Sequence, residues 1–352
     1  MPKTCSVLLT TVAFAVSLPI AAGAAERTKV VATFSILADF AERVGGDRVE
    51  VKSVIPRGVD PHVYRPTTAD ARALAAADLI VENGLEFEGW VDRLITASGS
   101  KGKRIVATKS IKTMAVQERD HDDHDDHGAS KMAEKHDDHH DHGATKKAAK
   151  HDDHHDHGAA KKTAKQDDHH HHHHGESDPH AWLSPLNAVV YVGNVREGLC
   201  EVDAAGCETY RANANAYVQE LRALDAAIRE MFAEIPADKR RIIIPHDAFA
   251  YYAAAYDLKT FPLQGISTES EPSARDVAKL VRYARQSRIA AIFLEATSDP
   301  RLATQIARDS GAKIGGQLYP GTLSKSDGPA PNYVAMMRHN TTTITEALKG
   351  QD

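Results

Sequence analysis

Hydrophobic positions along the chain fall into two successive alternations of short apolar runs and helical patterns. Residues 28–33 (TKVVAT) form a β-branched run, the pattern of a parallel strand buried on both faces. Positions 35–44 switch to helical spacing. Positions 49–55 alternate as a second strand, and 69–77 read as a helix with Thr67 or Thr68 at its cap. A strand at 78–82 (DLIVE), a helix at 88–97 and a strand at 103–108 complete the first set. The second set begins with the apolar strand 242–244, which runs through Pro245 into His246. Helices at 248–256 and 273–286, a strand at 290–295, a helix at 301–310, a strand at 313–318 and a closing helix at 332–348 follow. Between the sets lie a helix at 182–199 and the longest helical pattern, 208–235. In the latter, Tyr210, Ala214, Tyr217, Leu221, Leu224 and Ile228 recur at three- and four-residue steps. Strand–helix alternation implies an α/β fold of two lobes with mainly parallel sheets joined by one long helix. The expected boundaries are 25–115 with 179–205 for the N-terminal lobe, 206–236 for the linking helix and 237–352 for the C-terminal lobe.

Two stretches break this pattern. Residues 7–22 are apolar, with Lys3 before them and Ala22-Gly23-Ala24 at their end. That is the form of an export signal over residues 1–24, cleaved near Ala24/Ala25 to leave the mature protein in the periplasm. The run is short for a membrane span. Cys5 precedes it, so lipid attachment at a cleaved cysteine is not expected. The second stretch, 116–178, repeats HDDHDDHGASKMAEK with variations from positions 121, 136, 151 and 166. Seventeen of the 21 histidines lie between 121 and 174. Built from His, Asp, Lys, Gly and Ala, it has almost nothing to bury and is expected to be a disordered His/Asp-rich insertion.

Composition adds limits. At 352 residues and 42% hydrophobic, the chain can bury two cores, and a net charge of -6 gives no reason to expect nucleic acid as a partner. A monomer is expected. After cleavage Cys200 and Cys207 remain, an even pair in an oxidising compartment, which implies a disulfide rather than a thiolate metal site.

The chemistry rests on the histidines outside the tract. His62, His180 and His246 each follow a proline and sit at loop edges of the α/β pattern, where such folds bind ligands. The first two belong to a repeated tripeptide, Asp60-Pro61-His62 and Asp178-Pro179-His180. Three imidazoles suit a first-row metal, with tetrahedral Zn(II) the best match; manganese would want more oxygen donors. The tract reads as low-affinity zinc capture, or as a solubilising linker with incidental affinity. His339, inside the closing helix, reads as structural.

In order along the chain, DPHVYRPTTAD, VENGLEFEGW, DPHAWLSP, PHDAFAYYAAAYDL, GISTESEPSARDVAKL, IFLEATSDPR and NYVAMMRHN resemble the landmarks of periplasmic solute-binding proteins of the zinc/manganese ABC-transporter group, zinc-uptake type. The resemblance covers the mature chain apart from the tract. It implies a high-affinity zinc-binding component of an importer, not an enzyme, with a permease and its ATPase in the inner membrane as partners. A periplasmic metallochaperone is a further partner in this picture. It also implies His62 and His180 as ligands from the first lobe and His246 from the second. The family's fourth, acidic ligand falls in a Tyr-x-Asp-x-Leu stretch, but this chain has Gly321 there, in Tyr319-Pro320-Gly321-Thr322-Leu323. Glu295 is the preferred replacement, as ligand or as the acceptor that orients an imidazole; Asp60, a water and a tract histidine are alternatives. Competing readings are a manganese-binding protein of the same fold, a periplasmic zinc buffer and a zinc-dependent hydrolase. The last lacks an HExxH motif, and no GxxxxGK[ST] nucleotide loop is present.

Overall fold

A computed structural model describes residues 26–116, 177–287, 289 and 291–350. The expected export signal and residues 117–176 of the His/Asp-rich insertion lie outside the described residues; the insertion's expected end at 178 is too late, because Ser177 pairs with Ala115 and Asp178 is buried against His180. The first lobe runs β1 (Thr28–Phe34), α1 (Ser35–Gly45), β2 (Val49–Ile55), α2 (Thr68–Ala75), β3 (Leu79–Glu82), α3 (Val91–Ser98) and β4 (Lys103–Val106). Two helices follow, α4 (Pro185–Val202) and α5 (Cys207–Ala233). The second lobe runs β5 (Arg241–Ile244), α6 (Ala250–Tyr256), β6 (Lys259–Pro262), α7 (Ala274–Gln286), β7 (Ala291–Glu295), α8 (Pro300–Ser310), β8 (Lys313–Leu318) and α9 (Tyr333–Lys349). Both sheets are four-stranded and parallel. Their orders, β2-β1-β3-β4 and β6-β5-β7-β8, repeat one topology. In that order the crossovers leave the first strand on one side and return on the other. A crevice therefore opens at the carboxyl ends of the first and third strands of each sheet.

Local chemistry sets the element ends. The Asp70 carboxylate accepts from the Thr67 N–H at 2.8 Å and the Thr67 hydroxyl at 2.7 Å, which closes the start of α2. Ser184 caps α4 with Pro185 in its first turn, and Asn332 caps α9. Cys200 and Cys207 form a disulfide of 2.06 Å that ties α4 to α5. Three elements differ from the sequence expectation. Helix α3 starts at Val91 rather than 88, because Glu88 turns inward to serve a loop. Helix α6 starts at Ala250 rather than 248, because Asp247 N–H donates to the Gly265 carbonyl at 3.0 Å and Ala248 N–H to the His246 carbonyl at 2.9 Å. Strand β6 was not expected; it is four residues at a sheet edge and ends on Pro262, where a proline is tolerated.

The lobes share one hydrophobic core. Its buried members run from Val30 and Phe40 in the first lobe through Tyr210, Tyr217 and Leu221 on α5 to Tyr333, Met336 and Met337 on α9. A smaller cluster around Ile243, Ile292 and Ile306 fills the outer side of the second sheet. Polar contacts cross the same seam. Gly58 N–H donates to the Leu323 carbonyl at 3.0 Å, Trp182 Nε1 to the Pro320 carbonyl at 2.7 Å, and the Tyr333 hydroxyl to the Trp182 carbonyl at 2.6 Å. Asp39, on α1, is 4% exposed and accepts from the Tyr333 N–H at 3.0 Å and the Tyr217 hydroxyl at 3.4 Å. Burial pushes its carboxyl up to about 6, against the pull of the Tyr333 amide.

Asp39→Ala strands the Tyr333 amide in the seam and should cost about 1–3 kcal/mol in denaturant unfolding. Asp39→Asn keeps an acceptor and removes a buried charge, so its loss should be much smaller. Because the folded pKa is raised, the wild-type Asp39 contribution strengthens as pH falls below about 6. That trend should vanish in Asp39→Asn.

Candidate metal centre

The two DPH tripeptides fold alike. Asp60 Oδ1 accepts the His62 N–H at 2.9 Å, and Asp178 Oδ1 accepts the His180 N–H at 2.8 Å. Each is an Asx turn with proline at its centre, which fixes the backbone ahead of the imidazole. His62 lies in the loop after β2. His180 precedes a short 3-10 turn, Ala181–Leu183, that leads into α4. His246 lies just beyond β5, and Glu295 ends β7, so this pair occupies the crevice of the second sheet.

The three imidazoles converge. Ring centroids are 5.2 Å apart for His62–His180 and 5.3 Å for both His62–His246 and His180–His246. One nitrogen from each lies within 4.8 Å of the other two. His62 Nε2 is 3.2 Å from His180 Nε2. The edge of a tetrahedral zinc site with Zn–N bonds of about 2.0–2.1 Å is roughly 3.3 Å, so this pair already has a zinc-sized bite. His180 and His246 are 0% and 3% exposed, while His62 is partly exposed at the mouth. Trp182 packs on the His180 ring at 5.2 Å, and Phe87 presents its edge to His62 at 5.2 Å, which makes the floor apolar.

Carboxylates turn the rings. His180 Nδ1 is 2.8 Å from Asp178 Oδ1, and His246 Nδ1 is 2.8 Å from both oxygens of Glu295. Nδ1–H donation to these acceptors leaves the Nε2 atoms facing inward as lone pairs. His246 Nε2 is buried without a hydrogen-bond partner among the described residues, an arrangement that a bound cation would satisfy. Glu295, expected as the fourth ligand, therefore stands behind His246, outside the converging group of three. Its Oε2 also accepts from Ser298 at 3.0 Å. Asp60 is engaged as well, with Oδ2 accepting from the Thr268 hydroxyl at 2.8 Å. Gly321 lies against the His62 loop: a Cβ there would stand 3.2 Å from Pro61 Cγ. His339, on α9, hydrogen bonds the Gln317 carbonyl at 2.9 Å and is not part of the cluster. Sequence reasoning missed Asp178 as a ring partner, although the duplicated tripeptide was its signal. It also missed the Phe87 and Trp182 floor, whose spacing in the chain carries no signal.

The family described as Zinc-uptake complex component A periplasmic matches this chain over residues 30–155 and 137–347. The chain belongs to that family. It is thus a metal-binding substrate-binding component of an ABC transporter, not an enzyme. It works outside the cytoplasm with a membrane permease and its ATPase. It is 30% identical to the iron-binding protein YfeA of Yersinia pestis over 343 residues, covering 97% of this chain and 93% of that one. The periplasmic zinc-binding protein TroA of Treponema pallidum superposes with a TM-score of 0.72 at 25% identity, covering 92% of this chain and 99% of that one. The manganese-bound periplasmic metal-binding protein of Candidatus Liberibacter asiaticus gives 0.69 at 26%, covering 92% and 100%.

The site's electrostatics are uneven. Burial, reinforced by repulsion from His246, holds the His180 imidazole well below its usual pKa. Burial also lowers His246, but the charge and hydrogen bond of Glu295 outweigh it, and the net direction is upward. Metal must displace the His246 proton, so affinity should fall as pH drops through a value above 6.5. In Glu295→Gln burial dominates, and the onset of that fall should move to lower pH. Affinity at pH 8 should drop about 10- to 100-fold in the same variant. Chelator-competition titrations between pH 5 and 8 check both; an unmoved onset would contradict the assignment.

Proposed function

We propose that this chain captures Zn(II) in the periplasm on His62, His180 and His246 and delivers it to its membrane permease. The observation that carries this reading is the convergence of three imidazoles, two of them buried, with no carboxylate oxygen among the converging atoms. A nitrogen-only set of this size suits zinc better than manganese, which prefers oxygen-rich octahedral sites. Glu295 and Asp178 act as the acceptors that hold His246 and His180 in their inward tautomers. The fourth coordination position is left to water, since Asp60 is bonded to His62 N–H and Thr268 and residue 321 has no side chain. The histidine-rich residues 121–174 serve as a low-affinity capture loop that feeds the cleft, and residues 1–24 direct export. Iron and manganese in the names of relatives favour a second reading, a broader divalent-metal binder of the same fold.

Competition titration separates the two readings. Zn(II) should displace Mn(II) at large manganese excess, by orders of magnitude in affinity. Comparable affinities would favour the broader binder. His180→Ala should remove tight binding while leaving the fold intact. Deleting residues 121–174 should abolish the weak additional ions and keep a single tight site; loss of the tight site would instead make the tract the principal binder.

A further inference from the structure

We propose that residues 83–90 form a template that sets the spacing of the two first-lobe imidazoles, with Asn83 and Phe87 as its positioning residues. The inference rests on the three-histidine reading and assigns a positioning role to residues that are not ligands.

Asn83 follows β3 at the first-lobe crevice and is wholly buried. Its Nδ2 donates to the Pro179 carbonyl at 3.0 Å, the peptide group that carries His180. Its Oδ1 accepts from the Tyr191 hydroxyl at 2.7 Å, and its backbone carbonyl accepts from the Thr108 hydroxyl at 2.6 Å. The strand end and the His180 backbone are thus locked through one amide.

The chain then turns sharply. Gly84, Leu85 and Glu86 have φ of 83°, 55° and 60°, all left-handed. A Cβ at Gly84 would meet Val106 Cγ1 at 2.5 Å, so the first of these positions needs glycine. Leu85 and Glu86 adopt the region against their preference, which happens where surrounding contacts over-determine the backbone. Glu88 supplies those contacts. It is 4% exposed and accepts from Thr33 Oγ1 at 2.6 Å, Asn83 N–H at 2.7 Å and Gly84 N–H at 3.2 Å.

The turn delivers Phe87 between the imidazoles. Its ring meets His62 at 5.2 Å and 83°, His180 at 6.0 Å and 73°, and Trp182 at 4.9 Å and 63°. These are edge contacts of the kind aromatic rings favour. Both rings bear on Phe87, and the His180 backbone is tied to Asn83, so the 3.2 Å spacing of the His62 and His180 Nε2 atoms depends on this segment. The template therefore holds two of the three converging nitrogens in place before an ion arrives.

The test compares wild type with Phe87→Leu, which keeps apolar volume, and Asn83→Asp, which keeps the acceptor for Tyr191 and loses donation to Pro179. Metal-free thermal midpoints, Zn(II) affinities and the Co(II) absorption spectrum are measured for each. Zinc affinity should fall about tenfold, the lower end for residues that orient ligands. The Co(II) bands should change as well, because the ligand geometry itself is altered. Folded variants with unchanged affinities and spectrum overturn the proposal. A fall in zinc affinity with an unchanged Co(II) spectrum also overturns it, since that marks a merely structural role. A wild type that holds no zinc on the three histidines overturns the functional reading together with this one.

Discussion

A lone pair on a buried imidazole nitrogen needs a partner, and the cleft is built around three of them. His180 and His246 each present Nε2 inward because a carboxylate occupies the opposite nitrogen, at 2.8 Å in both cases. The floor of Phe87 and Trp182 offers no donor to satisfy them. His246 Nε2 is buried without a partner among the described residues, and the fold has already ordered the three rings before any cation arrives. The second sheet contributes His246 and Glu295 at the crevice its strand order creates, while His62 comes from the loop after the edge strand β2 and His180 from the turn before α4.

The frame that holds these rings apart is rigid for a physical reason. Two lobes with separate cores can hinge, but here one core runs through α5 and α9 from the first sheet to the second. Wide opening would expose Tyr217, Leu221, Tyr333 and Met336 to water and break the Trp182, Tyr333 and Gly58 hydrogen bonds. Removal of that much apolar contact is costly at about 25 cal/mol per Å². Movement local to the mouth is far cheaper. His62 is the partly exposed member of the three, and the neighbouring Asp60–Thr268 hydrogen bond joins its loop to the second lobe.

Much of this was legible in the sequence, and the limits have clear causes. Buried parallel strands such as β1 and β7 announce themselves as continuous apolar runs, and α5 shows its helical period over 27 residues. The histidines were legible because proline and aspartate beside them mark turns. Glu295 was found, but its place was not: a strand-end carboxylate is compatible with a ligand or with the acceptor behind one, and only the 2.8 Å contacts to His246 Nδ1 choose between them. The short edge strand β6 and the loop at residues 83–90 were illegible because tertiary contacts, not local preference, decide them. Glu88 reads as the start of an amphipathic helix until Thr33 and the amides of Asn83 and Gly84 claim its carboxylate.

The charge arrangement explains how an apolar cleft accepts a divalent ion at all. A doubly charged ion on three neutral imidazoles would be uncompensated in a medium of low dielectric, and desolvation would oppose entry. The compensating groups are one layer out. Glu295 already offsets His246, whose proton is held above its usual pKa. Burial, opposed by the His180 amide, raises Asp178 to about 7, so this carboxyl is poised between its two forms in the metal-free protein. A cation held at the proposed site would displace the His246 proton and favour the charged form of Asp178, and two carboxylates would then balance one divalent charge. Placing the carboxylates on the imidazoles leaves only nitrogen among the converging protein atoms and sets two acceptors directly behind them, so ring orientation and charge balance arise from the same pair of Nδ1 contacts.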